Sequence, residues 1–222
     1  TSAGDAIALA VTNMAANESA ASLSGAQVVA GANVTDNSIS YSRSRKCYDV
    51  NGDPVVGCSP LSSVITIVTH VQLDGSRTGA NDDATKTWAG GVHRVSDDSL
   101  TRVFTNGTET QRIHNDNAMA HDTTNFTSAD RTRFFAEGAR DSVKAVTFNV
   151  PRSVNPFPVS GSIVRTDTVH VVLTKGGRTE TRDVMRRVEV TFPPDAQGNV
   201  QLKVNASTCN LNLVTHKVTS CT

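Results

Sequence analysis

This sequence predicts an all-β protein, an antiparallel immunoglobulin-like β-sandwich or open barrel, on the strength of three observations. Apolar and polar residues alternate over many stretches, the period of a strand with one buried face. Turn signals separate those stretches, among them Asn106-Gly107 and Lys175-Gly176-Gly177. Serine and threonine are abundant while lysine and glutamate are scarce, which favours strands and turns over helices.

The first element is an apolar strand over residues 5–11. Ile7, Leu9 and Val11 alternate with Ala6, Ala8 and Ala10, giving one large-residue face and one slim face. A helix is the rival reading, because alanine is the best helix former; it would align Ile7, Val11 and Met14 but turn Leu9 away. The strand is preferred because it unites the three large residues. No turn dipeptide folds it back on a neighbour. Residues 13–37 follow as a small-residue connector with a short strand at Gln27-Val28-Val29. An apolar strand with no local partner is expected to be buried elsewhere, in another copy of the molecule. The organisation expected is an N-terminal arm, residues 1–23, and a β domain, residues 24–222, with a sub-division near residues 151–158.

From residue 38 onward the signals are those of antiparallel strands. The strongest strand is residues 64–73, with Ile65, Ile67, Val71 and Leu73 on one face and a polar loop, residues 74–83, after it. Residues 86–96 and 99–105 read as two strands around an Asp97-Asp98 turn. Asn106-Gly107 then joins a hairpin that ends near Ile113. Residues 114–125 read as a polar loop or irregular edge. Residues 131–137 and 142–150 are expected as two strands linked through Gly138. The proline-rich segment 151–158 cannot donate normally to a ladder and reads as a crossing between sheets. A meander closes the chain: residues 162–174 and 178–192 through the Lys175-Gly176-Gly177 turn, then residues 199–207. In its second strand Val184, Val188, Val190 and Phe192 share a face, with Arg186 intruding.

The 21 basic and 21 acidic residues balance and are spread along the 222-residue chain, which argues against a nucleic-acid surface. Arg43-Ser44-Arg45-Lys46 is short and reads as a solvated strand end. No apolar run is long enough to span a bilayer. No basic-then-apolar leader opens the chain at Thr1, as expected of a mature form. The cysteines fall into two close pairs, Cys47 with Cys58 and Cys209 with Cys221, each bracketing an expected hairpin. Four cysteines allow three connectivities, and hairpin geometry favours local pairing. Neither spacing matches a zinc knuckle. Disulfides imply an oxidising compartment, and so an extracellular or cell-surface location.

No enzyme is announced. The chain lacks a Gly-x-Ser-x-Gly elbow, a free-thiol Cys-His arrangement and a phosphate-cradling glycine loop. No cofactor and no metal are expected. None of the histidines at 70, 93, 114, 121, 170 and 216 forms a ligand pair, and polar loops collect groups such as His114, Asp116, His121 and Asp122 without binding anything. Asp49, Asn51 and Asp53 copy the first half of a calcium loop, but Pro54 and Pro60 stand where its glycine and closing glutamate belong. An Asn-Gly turn explains the same residues. Asn-x-Ser/Thr sequons at Asn17, Asn33, Asn106, Asn125 and Asn205 are candidate sites for covalent glycans.

An alternating apolar arm carrying Ile7, Leu9 and Val11, ahead of a disulfide-bonded β domain, resembles the bacterial pilus (fimbrial) subunits assembled by donor-strand exchange. In that family an immunoglobulin-like sandwich lacks one strand, and the arm of another subunit fills the groove. The likeness is architectural; the β region is longer than a typical pilin and both cysteine pairs are local. It implies a structural subunit of an extracellular filament, self-assembling as a homo-oligomer. A monomeric secreted or cell-surface binding module is the alternative, and size measurement at low and high concentration separates the two.

Overall fold

A computed structural model describes residues 33–80, 85–215 and 217–222, with side chains described from Ser38 onward. The expected donor strand Ile7, Leu9, Val11, the short strand at Gln27-Val28-Val29 and Asn17 lie outside the described residues. The described chain is all-β and antiparallel. Ten strands run in chain order through one sheet that does not close: β1 (Asn33–Tyr48), β2 (Thr66–Ala80), β3 (Lys86–Thr105), β4 (Thr108–Ser128), β5 (Arg131–Asn149), β6 (Ser160–Lys175), β7 (Arg178–Phe192), β8 (Asn199–Val204), β9 (Ser207–Asn212) and β10 (Val218–Thr219). Each strand neighbours its predecessor, so the topology is a meander. The residue 151–158 segment therefore joins adjacent strands β5 and β6 of one sheet; it does not cross between sheets.

The expected turns at Asn106-Gly107 and Gly176-Gly177 are present. Asn106 and Gly107 take φ of 52° and 77°, and Gly176 and Gly177 take 57° and 76°, the left-handed pairs that match the twist of two-residue hairpins. Four other expected breaks do not occur among the described residues. Asp97 and Asp98 lie inside the 20-residue strand β3, because each side chain finds a place on its own face: Asp97 pairs with His70 of β2 at 2.7 Å, and Asp98 stands opposite Asp116 of β4. The expected loop 114–125 is the middle of β4, the 21-residue central strand. Gly138 is interior to β5, where a side chain would meet Thr168 Oγ1 at 2.7 Å; the glycine permits a close cross-strand approach and marks no turn. The polar stretch after Leu73 likewise continues β2 as far as Ala80.

β4 shows how the sheet is solvated. Asn115, Asn117, Met119, His121, Asn125 and Thr127 are exposed, while Asp116, Ala118, Ala120, Asp122, Thr124 and Phe126 are half-buried. One face, called open here, is hydrated. The other, the covered face, carries the core. That core sits at one end and unites Val143, Val146 and Phe148 of β5, Ile163 of β6, Val188, Val190 and Phe192 of β7, Val200 and Leu202 of β8, and Leu211 of β9. The cluster runs from strand to neighbouring strand across this end of the covered face. Burying each of these side chains contributes roughly 1.5–3 kcal/mol.

A bulge beside this core turns the strands. Between His114 and Asp116 on β4 and Val143 and Val146 on β5, one residue opposes two, and Ala145 takes φ of 48°. Asn115 Oδ1 accepts the Ala145 N–H at 2.8 Å, so the extra residue is held. Gly161 answers on β6 with φ of 104°, where a side chain would fall 2.5 Å from the Ala145 carbonyl oxygen.

The β1–β2 connection is clipped by the Cys47–Cys58 disulfide and laid over the covered face. Arg102 of β3 donates to the carbonyls of Leu61 at 2.7 Å and Val64 at 3.0 Å, and Val64 is fully buried. Arg102 also pairs with Glu109, which Arg112 approaches as well. Burial alone would raise the Glu109 carboxyl, but the two arginines hold it below the usual range. The Cys209–Cys221 disulfide ties the last residues back to β9, which β10 pairs at Leu211 and Asn210.

Candidate functional site: the open edges and the covered face

Among the described residues, two stretches of strand have a neighbour on one side only. Strand β8 pairs with β7 only from Val188 to Thr191. Beyond that, Arg178 to Met185 are exposed on both faces. Arg187 is the last β7 residue engaged from outside: its N–H donates to Asn205 Oδ1 and its carbonyl accepts the Asn205 N–H, both at 2.8 Å. Antiparallel strands aim alternate residues' backbone groups at alternate neighbours. The outward-pointing residues of the free segment are therefore Thr179, Thr181, Asp183 and Met185, and no strand meets them among the described residues. β1 is the opposite edge, exposed from Ser38 to Lys46. Its covered-face side chains Ile39 and Tyr41 are 59% and 50% exposed, unusual for large apolar groups in a strand.

A band of charge crosses the covered face between the core and these free ends. Arg165 of β6 reaches Asp141 of β5 at 3.0 Å and Asp167 at 2.7 Å, and Arg186 of β7 donates to Asp167 at 2.9 Å. Arg186, the residue that interrupts the apolar face of β7 in the sequence, is the partner of buried Asp167. Arg94 of β3 pairs with Asp122 of β4 at 2.9 Å.

Asp98 and Asp116 are directly opposed on β3 and β4 within the same band. Burial raises Asp98 to about 6. Burial also raises Asp116 to about 7, against the opposing hydrogen bond from Ser96 Oγ and with help from the Asp98, Asp141 and Asp97 charges. Asp141 is raised by burial as well, in spite of Arg165. The chemistry available is proton storage near neutral pH, which patterning along a single strand does not reveal. The signal would have been the register that sets Asp98 against Asp116.

The expected site residues are distributed as follows. Cys47–Cys58 and Cys209–Cys221 form the two local disulfides, and no described cysteine is free. Asn33 begins β1. Asn106 is exposed at a hairpin tip, Asn125 is exposed on the open face of β4, and exposed Asn205 turns β8 into β9 with φ of 53°. Asp49 Oδ1 accepts the N–H groups of Asn51 and Asp53 at 2.8 and 3.0 Å, the geometry of a side-chain-closed turn. His70, His93 and His170 each meet an aspartate across the open face, and His114 packs edge-on against Phe148. Among the described residues no three His, Cys, Asp or Glu side chains converge as metal ligands. No described helix is long and apolar enough to cross a membrane.

Comparison with protein-family models, with curated proteins and with solved structures yields no match for this chain.

Proposed function

We propose that this chain is a structural subunit of an extracellular filament, whose copies join when the residue 5–11 strand of one extends the open β1 edge of another. The observation that supports this reading is the exposure of Ile39 and Tyr41 on β1, which pairs only with β2 among the described residues. An incoming strand with one large face would set Ile7, Leu9 and Val11 on the same side as those two groups, and its slim alanine face on the hydrated side. Each buried side chain contributes roughly 1.5–3 kcal/mol before ordering costs, and a row of backbone hydrogen bonds fixes the register.

The likeness to pilus subunits lies in strand donation. Here the incoming strand extends an open meander, whereas in the pilus family it fills the groove of a sandwich. Donor and acceptor are different surfaces of the molecule, so the contact is heterologous and propagates. Two disulfides fit an oxidising, extracellular setting. Exposed Asn106, Asn125 and Asn205 leave room for glycans.

Sedimentation and electron microscopy of the purified full chain test this. Intact protein forms polymers, and Leu9→Asp abolishes them while both disulfides remain. Polymers that persist in Leu9→Asp and after deletion of residues 1–13 would refute the reading.

A further inference from the structure

The free half of β7 lies far from the edge used in the proposed assembly, and its charges have an order of their own. We propose that this segment pairs with the same segment of a second copy, antiparallel about a twofold axis through Thr181, so that one sheet runs through both molecules.

Backbone geometry restricts the registers. Outward hydrogen-bonding groups sit on Thr179, Thr181, Asp183 and Met185, and those of Arg187 are taken by Asn205. In a symmetric antiparallel pair these odd residues must oppose odd residues, and the even ones oppose even ones. Charge then selects among the registers. Centring on Arg182 sets that arginine against its own copy and Arg178 against Arg186. Centring on Glu180 opposes two glutamates, centring on Asp183 opposes two aspartates, and centring on Val184 opposes Arg182 with Arg186.

Centring on Thr179, which opposes Arg178 with Glu180, avoids such clashes but runs into the Gly176-Gly177 turn and forms fewer backbone hydrogen bonds. Centring on Thr181 also removes every such clash. Glu180 then faces Arg182 of the second copy, and Arg182 faces its Glu180. Both are non-hydrogen-bonded pairs, the positions at which opposed side chains approach most closely. Thr179 and Asp183 meet as hydrogen-bonded pairs, Thr181 meets itself, and roughly six backbone hydrogen bonds form.

The other edge lacks this complementarity. From Ser38 to Tyr48, β1 carries Arg43, Arg45 and Lys46 and no acid, so two β1 edges repel. In the free half of β7, Arg178 and Arg182 balance Glu180 and Asp183, so it offers basic β1 no net attraction. Charges on an exposed edge ordinarily block pairing. On β7 their signs alternate so that a second copy is admitted, and of the clash-free registers the one centred on Thr181 forms the most hydrogen bonds.

The test uses the full-length chain carrying Leu9→Asp, which removes arm-mediated joining, and reads mass by sedimentation equilibrium over a range of concentrations. The parent is expected to be a dimer. Arg182→Glu and Glu180→Arg each convert two attractive pairs into two repulsive ones and weaken the dimer by about tenfold or more. Both positions are exposed, so the fold is retained. The double exchange, Glu180→Arg with Arg182→Glu, restores the dimer. A monomeric parent, single variants that dimerise as the parent does, or a double exchange that fails to restore the dimer overturns the proposal. Because arm-mediated polymers are read in the wild-type chain, failure of either contact is seen separately.

Discussion

Replacing Asp116 with asparagine should stabilise the protein at pH 8 and do so less at pH 5. Asp116 lies on the covered face of β4 opposite Asp98, accepts one hydrogen bond from Ser96 Oγ at 3.0 Å, and is raised from an ordinary 3.8 to about 7. A group whose pKa is higher in the folded state favours folding most when protonated. Its contribution is complete below pH 4 and is lost as pH rises through about 7. The shift is about three units, and at ~1.4 kcal/mol per unit its ceiling is about 4 kcal/mol. Residual solvent contact and the shared titration with Asp98 reduce that to about 2 kcal/mol. Asparagine keeps the size and the acceptor oxygen but carries no charge at any pH. Urea unfolding of the wild type and of Asp116→Asn at pH 5 and pH 8 gives the comparison: the variant's midpoint is higher at both, and the gap at pH 8 is roughly two to three times that at pH 5, because the loss builds up between pH 4 and 7. A variant that is less stable than wild type at pH 8, or equally changed at both pH values, would show that Asp116 is ionised and usefully paired in the fold.

Two further outcomes probe the frame. Gly161→Ala places a methyl group against the Ala145 carbonyl at a left-handed position. It should cost about 2 kcal/mol or more, measured by thermal unfolding, whereas Gly107→Ala at an open hairpin tip costs less. Arg102→Met removes the donor that holds the carbonyls of Leu61 and Val64. Limited proteolysis between Val55 and Ser63 should then accelerate under native conditions while cleavage elsewhere is unchanged. The assembly contacts make their own predictions: Leu9→Asp abolishes polymers, and the Glu180 and Arg182 exchanges break and restore the β7 pair.

Where the sequence misled, the reason is the same each time. Asp97-Asp98 has the composition of a turn, and residues 114–125 that of a loop, yet both lie inside long strands. On the open face Asn115 accepts the Ala145 N–H and Asn117 the Ser142 hydroxyl of β5, and His121 is exposed, while Ala118 and Ala120 between them take the covered face. His70, 27 residues away, is the partner that keeps Asp97 in line. Gly138 was legible as a special position but not as a strand residue, since its constraint comes from Thr168 on the next strand. Of the candidate site, the apolar alternation of residues 5–11 could be read directly. The exposure of Ile39 and Tyr41 could not, because it depends on β1 pairing only with β2 among the described residues.

The sequence by itself determined the antiparallel β class, the Asn106-Gly107 and Gly176-Gly177 hairpins, the shared face of Val184, Val188, Val190 and Phe192, and two cysteine pairs spaced for local bridges. Each of these depends on residues a few positions apart, whose geometry is set by backbone preference and strand period. Tertiary structure alone decided how long the strands run, where the buried core gathers and that Asp98 confronts Asp116. Those outcomes depend on cross-strand neighbours many residues distant, and the hydrogen-bond register that brings such neighbours together exists only once the whole meander has formed.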